Sequence, residues 1–453
     1  MSKTIVLKKG LNIPVSGEAA LRVSKTIAPG IVAVCPTDFK GFLPRLLVKE
    51  GDPVLCGSPV MADKKNADIL LASPVSGTVK EIVRGDKRKL LALLIEADGK
   101  RQCVDFGVKD AAALDGTQVR EALLASGLWP FLVQRPYGIL ADPGATPRDI
   151  FVSTFSSAPL APDSKFCFAA DIHDIQAGVC ALSKLTSGKV HLGLDAGAAD
   201  SPFAGIRQAE LHRFAGKHPV GNVGVQISHI APIRKEDIVW TVSLAGVAAI
   251  GKLFTTGRYD VRRKVAVTGP MAIEPAYVDA LPGTPMKQLT AFWGNTDPEE
   301  IRIVSGDILS GRSVGTDGYL GFFDNQVTLL REGTDKELLG WIRPFRFNQF
   351  STDRSYFSWL LPKKKYAMDT NLHGGARAFL MNDGYYAKVL PMDIYPVFLA
   401  KACLAGEIEN MEKYGIYEVL PEDLATCEFV DPSKNNIQDM IEQGINLMLK
   451  EMA

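Results

Sequence analysis

A turn lysine, seven cysteines and six histidines are the residues with which this 453-residue chain could do chemistry. Lys64 follows Asp63 in the turn A-D-K-K, where an exposed amine could carry a covalently attached group. The cysteines are odd in number and include no C-x-x-C, so we expect reduced, mostly buried thiols. The histidines show neither H-E-x-x-H nor another paired spacing. We therefore predict no metal site.

The segment of residues 48–88 must position Lys64. Clusters of Gly, Pro, Ser and Asp divide it into short apolar pieces, which is typical of strands joined by tight turns, and we expect a small β-sandwich. The order of V-K-E-G-D-x-V-x-x-G, A-D-K-K and S-P-V-S-G-T-V-K-E-I resembles a biotinyl- or lipoyl-type domain. The hairpin is shorter than in working carriers, Lys65 adds a second cation, and Ala62 replaces the usual acidic residue. We expect an unmodified structural copy.

Composition and charge exclude several functions. With 51 basic and 51 acidic residues, the chain has no net field to attract nucleic acid or an anionic membrane. The longest uncharged run, residues 238–251, is shorter than the about 20 residues of a spanning helix. The start MSKTIVLKKG lacks the apolar core of a signal peptide. We expect a cytoplasmic chain that does not cross a membrane.

The middle of the chain alternates between two patterns. Apolar, β-branched runs predict strands at residues 150–154, 165–169, 189–194, 222–228 and 238–242. Apolar periodicity predicts helices at residues 112–127 (N-cap Thr117), 172–185, 203–215 (N-cap Ser201) and 246–257. This alternation predicts a parallel sheet, whose ligand would lie beyond the strand ends near Asp171, residues 195–201 and His229.

Several motifs in the same order support a family resemblance. They are L-N-I-P with Gly17, F-x-G-x-x-P-R-L-L-V-K-E-G-D at residues 39–52, D-K-K-N, R-G-D-K-R, A-I-G-x-L-F-x-T-G, E-L-x-G-W-I at residues 337–342, and P-x-D-I at residues 391–394. Together they resemble the NqrA component of the Na+-translocating NADH:quinone reductase.

The resemblance implies an α/β multidomain chain. Residues 1–108 would form the biotinyl/lipoyl-like sandwich, 109–258 a Rossmann-like α/β domain, 259–315 a β-grasp (SLBB-like) module, and 316–453 a mixed or helical C-terminal region. It also implies a peripheral subunit on the cytoplasmic face of the bacterial inner membrane. Its partners would be the other subunits of a complex that oxidises NADH, reduces ubiquinone or menaquinone and exports Na+.

Flavin, NADH and iron–sulfur binding are expected to be absent from this chain. The RnfC component of the Rnf complex and the flavin-bearing component of complex I resemble it in domain order, but their G-x-G-G-A-G-F-P loop corresponds here to S-G-L-W-P-F at residues 126–131. Their acidic segment corresponds to residues 153–159, which hold no carboxylate, and Cys427 stands alone where clusters need about four thiolates. Flavins and Fe–S clusters are expected in partner subunits. Two alternatives remain, namely a flavin-dependent NADH dehydrogenase component and a carrier modified on Lys64.

Trp129 and His218 are the candidate quinone or docking residues. The loop H-P-V-G at His218 resembles the family's H-P-A-G, and its imidazole could bond a quinone carbonyl while Trp129 stacks on the ring. Alternatively, His218 pins its loop to a backbone carbonyl, and Trp129 and Phe131 fill the vacated cleft. The run Lys363-Lys364-Lys365 is either a solvated loop or a contact to lipid headgroups. We predict no catalytic residues.

Overall fold

The computed structural model describes residues 4–198, 200–290, 300–334, 345–352, 354, 356–371 and 381–451. Within them the strands are β1 (Thr4–Val6), β2 (Ala20–Thr26), β3 (Ile31–Val34), β4 (Pro44–Leu46), β5 (Pro53–Val54), β6 (Pro59–Asp63), β7 (Leu70–Ala72), β8 (Gly77–Arg84), β9 (Leu90–Ala97), β10 (Val133–Arg135), β11 (Ile139–Leu140), β12 (Asp149–Ser153), β13 (Val190–Asp195), β14 (Glu210–Ala215), β15 (Val239–Thr241), β16 (Arg263–Thr268), β17 (Ala276–Ala280), β18 (Ile301–Ser305), β19 (Arg312–Ser313) and β20 (Gln326–Arg331). The α-helices are α1 (Gly116–Ser126), α2 (Ser164–Phe168), α3 (Ile172–Ser183), α4 (Val223–Ile230), α5 (Leu244–Thr256), α6 (Met286–Thr290), α7 (Asp383–Val389), α8 (Pro396–Ala405), α9 (Ile408–Tyr414), α10 (Ala425–Val430) and α11 (Ile437–Glu451).

The predicted β-sandwich is present. One sheet has the order β3-β9-β8-β5 and the other β4-β6-β7. Strands of this kind alternate inward and outward side chains, and the inward ones, such as Val60, Leu93 and Ile95, are completely buried. The Asp63-Lys64 turn lies at the end of β6, the central strand of the smaller sheet.

The α/β domain is built on a seven-stranded sheet of order β1-β14-β13-β12-β15-β10-β11. The first five strands in that order run parallel, β10 runs antiparallel to them, and β11 runs antiparallel to β10. Ile150 and Val152 of β12 join the core beneath α3 and α5, whereas Phe151 packs with Ile227 of α4. Helices therefore cover both faces of the sheet.

Several local predictions for this domain are wrong. Residues 165–169 lie largely in α2, where Asp163 caps the helix by accepting a hydrogen bond from the Phe166 backbone N–H. Residues 203–215 form a 3₁₀ helix at Pro202–Gly205 and then β14, and residues 222–228 begin α4. The N-cap of α1 is Asp115, not Thr117, and His229 lies in the last turn of α4, away from the carboxyl ends of the strands. The helices at α3 and α5 and the strands at β12, β13 and β15 are confirmed.

A separate six-stranded sheet has the order β19-β18-β20-β16-β17-β2. Residues 262–311 contribute β16, β17 and β18 to this sheet, with the short helix α6 before β18. The edge strand β2 comes from the start of the chain and pairs parallel with β17, while β1 pairs parallel with β14 of the α/β sheet. The first 26 residues therefore contribute strands to two sheets outside the sandwich.

The C-terminal region is mainly helical over residues 383–451, whereas its strand β20 belongs to the six-stranded sheet. The last helix, α11, is amphipathic and buries Ile437, Met440, Ile441, Ile445 and Met448 on one face. The predicted motif at residues 337–342 lies outside the described residues. Among the described helices, none has the length and apolar character needed to cross a bilayer.

Candidate functional site

The strand order places a crevice where ligands commonly bind in parallel sheets. Starting from β12, the chain adds β13 and β14 on one side of that strand and then β15 on its other side. The strand order therefore reverses between β12 and β15. In open α/β sheets the ligand site lies beyond the carboxyl ends of the strands at such a reversal. The helices that start at this edge are α3, which connects β12 to the parallel strand β13, and α4, after β14.

Aromatic side chains fill the space beside the first turn of α5. Trp129 is fully buried, donates its indole N–H to the Ala141 carbonyl at 2.8 Å, and packs edge-on against Trp240 at 5.4 Å between ring centroids. Phe131 is also buried, and a Cβ added at Gly246 would lie 2.8 Å from its ring. Trp129 therefore does not lie at the mouth of an open cleft, and Phe131 covers the first turn of α5.

A carboxylate lies beside the N-terminus of α4. A Cβ at Gly224, the second residue of α4, would lie 2.2 Å from Asp423 Oδ2. Asp423 is completely buried and accepts a hydrogen bond from Arg135 Nη1 at 3.1 Å. A helix N-terminus stabilises negative charge, and here the C-terminal region supplies that charge.

His218 is held on both sides by polar contacts. Its backbone N–H donates to Asn12 Oδ1 at 2.9 Å, and its Nδ1 lies 3.1 Å from Ser157 Oγ. Ser157 Oγ already accepts from the Gly221 N–H, so its hydroxyl hydrogen is available to Nδ1. Burial lowers the pKa of His218, and the Asp307 and Asp423 carboxylates oppose this shift. The imidazole is held by Ser157, through the serine hydroxyl and through a backbone contact that favours its protonated form.

The structure does not bring His218 and Trp129 together. Trp129 bonds Ala141 and packs on Trp240, whereas His218 contacts Asn12 and Ser157. Their assignment as quinone or docking residues stays a prediction.

The Lys64 turn is tied back to the sandwich by its neighbour. Asp63 is buried, and its carboxylate accepts hydrogen bonds from the backbone N–H groups of Leu43 at 2.8 Å and Asn66 at 3.2 Å. The Lys64 backbone N–H donates to the Leu43 carbonyl at 2.8 Å, and its side chain is exposed. Asp63 therefore fixes the turn, and the amine is left in solvent.

Two features at residues 345–371 were missed by the sequence reasoning. The first, here called the aromatic patch, is a set of exposed apolar side chains: Phe345, Phe347, Phe357, Trp359, Leu360 and Leu361. Phe345 is 75% exposed, and its ring lies 5.4 Å from that of Phe357. The density of Phe and Trp in this segment was the available signal.

The second feature is a cavity of about 660 Å³ beside the patch. It lies between the loop after β18, the segment of residues 348–371 and the C-terminal helices. Four aromatic residues contribute to its lining: Phe350, Tyr356, Tyr366 and Phe429. Neither His218 nor Trp129 lines it.

Comparison with known proteins gives consistent matches along the chain. The family described as NqrA N-terminal barrel-sandwich hybrid domain matches residues 5–98, NqrA second alpha/beta domain matches residues 114–259, and NQRA C-terminal domain matches residues 264–315. The A subunit of the Na(+)-translocating NADH-quinone reductase of Serratia proteamaculans (strain 568) is 38% identical over 95% of this chain and 96% of its own length. The protein of the same name from Pasteurella multocida (strain Pm70) is 37% identical over 99% of this chain and 100% of its own length. A solved NAD+-reducing [NiFe]-hydrogenase matches with a TM-score of 0.39 and 10% identity, over 73% of this chain and 63% of that one.

Proposed function

The chain belongs to the NqrA family of the Na(+)-translocating NADH-quinone reductase, and we propose that it is the complex's peripheral docking subunit, without a redox cofactor of its own. Its place is the cytoplasmic face of the bacterial inner membrane. NADH oxidation, reduction of ubiquinone or menaquinone and Na+ export then fall to partner subunits that carry flavins and Fe–S clusters. Na+ export needs polar groups inside the membrane, which belong to those partners.

One observation carries the cofactor-free part of the proposal. Two helix N-termini at the carboxyl edge of the sheet carry a carboxylate from within the chain, α3 its N-cap residue Asp171 and α4 the buried Asp423. A flavin or dinucleotide phosphate needs such an N-terminus with bare backbone N–H groups. The strand order supports a Rossmann-like domain whose phosphate positions are closed.

A cofactor assay tests this part. The purified chain is expected to be colourless, and acid denaturation should release no flavin fluorescence. Flavin that stays with the protein through gel filtration would contradict the proposal and favour an NADH dehydrogenase component.

A mass measurement tests the alternative that the chain is a carrier modified on Lys64. We expect the intact mass to equal that of the sequence, allowing for loss of the initiator Met. A lipoyl or biotinyl mass on the peptide that contains Asp63 and Lys64 would overturn the structural-copy assignment.

The aromatic patch supports the docking part. Apolar side chains that are exposed together gain free energy, about 25 cal/mol per Å² of area removed from water, when a partner covers them. Lys363, Lys364 and Lys365 follow the patch directly, so charge lies beside it. We assign this surface to another subunit of the same complex.

Paired substitutions test the docking surface. Phe347→Ser with Trp359→Ser should reduce co-purification with the membrane subunits by tenfold or more. Val108→Ser with Ile273→Ser removes two even more exposed apolar side chains elsewhere and should leave co-purification unchanged. If both double variants co-purify equally well with the membrane subunits, the aromatic patch is not part of the interface.

A quinone contact is a second candidate function, favoured by the 660 Å³ cavity and its four aromatic residues. Pockets of about 300 to 1,000 Å³ suit compact ligands, and aromatic side chains stack on flat rings. Titration with a soluble quinone should weaken at least tenfold in Phe350→Leu, while His218→Gln and Trp129→Phe keep the wild-type affinity. If quinone affinity falls only in His218→Gln and Trp129→Phe, the quinone site lies at His218 and Trp129 instead.

A further inference from the structure

Three potential metal ligands converge near the start of two parallel strands. His191 lies on β13, and Glu210 and His212 lie on β14, with His191 paired to Glu210 in the register. Residues 210 and 212 share one face of the sheet, because side chains alternate along a strand. His191 Nδ1 lies 2.9 Å from His212 Nε2, and His212 Nε2 lies 4.0 Å from Glu210 Oε1. The three ligand atoms all lie within 4.8 Å of one another.

A second observation concerns the other nitrogen of His191. Its Nε2 lies 3.4 Å from Asp149 Oδ1, and the Asp149 carboxylate is itself held by Arg148 Nε at 2.9 Å. The ring is stacked on Phe151 at 4.5 Å and is almost completely buried. Metal-binding histidines generally present their second nitrogen to a carboxylate, which fixes the tautomer and the ring orientation. Asp149 and Phe151 thus aim Nδ1 at His212.

We propose that His191 Nδ1, His212 Nε2 and Glu210 Oε1 bind a divalent transition-metal ion of the zinc type. Two imidazoles and one carboxylate form an established three-ligand set for Zn²⁺, with water in the fourth position. At metal–ligand distances of about 2.0 to 2.2 Å, tetrahedral ligand atoms lie about 3.3 Å apart. The observed separations of 2.9 and 4.0 Å reach that value through sub-ångström movements of side-chain ends. Glu210 is exposed, so its side chain can make the larger one.

One contact opposes the ion. Lys189 Nζ lies 2.7 Å from Glu210 Oε2, and its positive charge repels a metal cation. The ammonium engages Oε2, however, and leaves Oε1 toward His212. The lysine side chain is 68% exposed, so it can turn into solvent. Replacing it should therefore strengthen metal binding.

The competing interpretation is a hydrogen bond between two neutral imidazoles. Burial lowers the pKa of both His191 and His212, so an N–H···N bond between them needs no metal. The neutral form is also the one that binds a metal ion. Only a direct binding measurement separates the two.

The test is a calorimetric titration of the chelator-stripped full chain with Zn²⁺, with Co²⁺ as a spectroscopic probe. We expect one site that weakens at least tenfold in Glu210→Gln and in His212→Gln and tightens in Lys189→Gln. Glu210→Gln changes an exposed side chain, so it keeps the fold if His212→Gln does not. His173→Gln, on α3 and 87% exposed, is the control and should bind as wild type does.

Tetrahedral Co²⁺ bands in the wild type that disappear in Glu210→Gln would support the site. Absence of binding in the wild type, or equal affinity in wild type and Glu210→Gln, would overturn the proposal and leave the imidazole pair as a hydrogen bond.

Discussion

His218 is a buried residue of a loop junction. Its contacts to Asn12 and Ser157 join the start of the chain to the loops after β12 and β14. Protonation of this imidazole would bury a positive charge, which is unfavourable because the ring is shielded from water. The carboxylates of Asp307 and Asp423 offset only part of that cost. The residue is therefore a source of acid sensitivity.

We predict that His218→Gln flattens the pH dependence of stability between pH 7 and pH 5. The unfolded imidazole has a pKa near 6.5, and burial lowers the pKa in the folded chain. The stabilisation is thus present above about pH 6.5 and is lost as pH falls through the lowered folded pKa, by up to about 1.4 kcal/mol per pH unit. The measurement is urea unfolding at several pH values.

The control is His173→Gln, at an exposed position, which should keep the wild-type slope. An unchanged slope in His218→Gln would show that protonation of this imidazole is not coupled to folding. His191 and His212 contribute equally to wild type and variant, so they cancel in the comparison.

Residue types alone could not reveal the cluster of His191, Glu210 and His212. The spacing E-x-H places two ligands on one face only if the segment is a strand, and residues 203–215 were predicted as a helix. The third ligand is 21 positions away from His212, and only the register of β13 on β14 brings it close. His218 and Lys64, by contrast, lie in loops or turns as predicted.

At the level of elements, prediction succeeded where a segment has one buried face. The helix α3 and the strands β12, β13 and β15 show the period that their packing requires. The helix α4 buries the consecutive residues Gly224 to Ile227, because the sheet and the C-terminal region cover it from different sides. Burial on all sides removes the helical period, and the β-branched residues then favoured a strand.

The start of α1 gives a direct comparison of predicted and observed caps. Asp115 accepts a hydrogen bond from the Gln118 backbone N–H at 2.8 Å, and the Gln118 side chain accepts one from the Asp115 N–H at 3.0 Å. We predict that Asp115→Ala lowers the free energy of unfolding by about 1 kcal/mol, the usual value of an N-cap. Urea unfolding measures it.

Thr117→Ala is the matched control, because Thr117 was the predicted cap and lies two residues further along. It should change stability by less than about 0.5 kcal/mol, as at other exposed positions. A larger loss in Thr117→Ala than in Asp115→Ala would contradict the observed capping box.

At the scale of the whole molecule, the first 34 residues contribute strands to three sheets. The chain starts in the α/β sheet as β1, crosses to the six-stranded sheet as β2, and then enters the sandwich at β3. No local pattern in the sequence predicts such pairing, because the partners β14 and β17 lie about 200 to 250 positions away. Domain boundaries drawn along the sequence therefore do not describe where these strands pack.

Gly17 lies where this N-terminal segment contacts Gly269, the residue that follows β16. It has φ +94°, its carbonyl accepts a hydrogen bond from the Gly269 N–H at 2.9 Å, and an added Cβ would lie 2.1 Å from the Gly269 carbonyl oxygen. Only glycine allows both this conformation and this approach. We predict that Gly17→Ala destabilises the chain clearly more than Gly51→Ala, which has φ +88° but open space around the added carbon.

The control substitution should cost about 1 to 2 kcal/mol, the strain of a left-handed backbone alone. If the N-terminal segment couples the sheets, Gly17→Ala should also accelerate amide hydrogen exchange in β2 and β17 and, through the shared segment, in β1 and β14. Exchange that rises only beside Gly17 and Gly269, with β1 and β14 unchanged, would mean that the sheets respond independently. Gly51→Ala separates the two effects, because it carries the same backbone strain within the sandwich and touches neither of the other sheets.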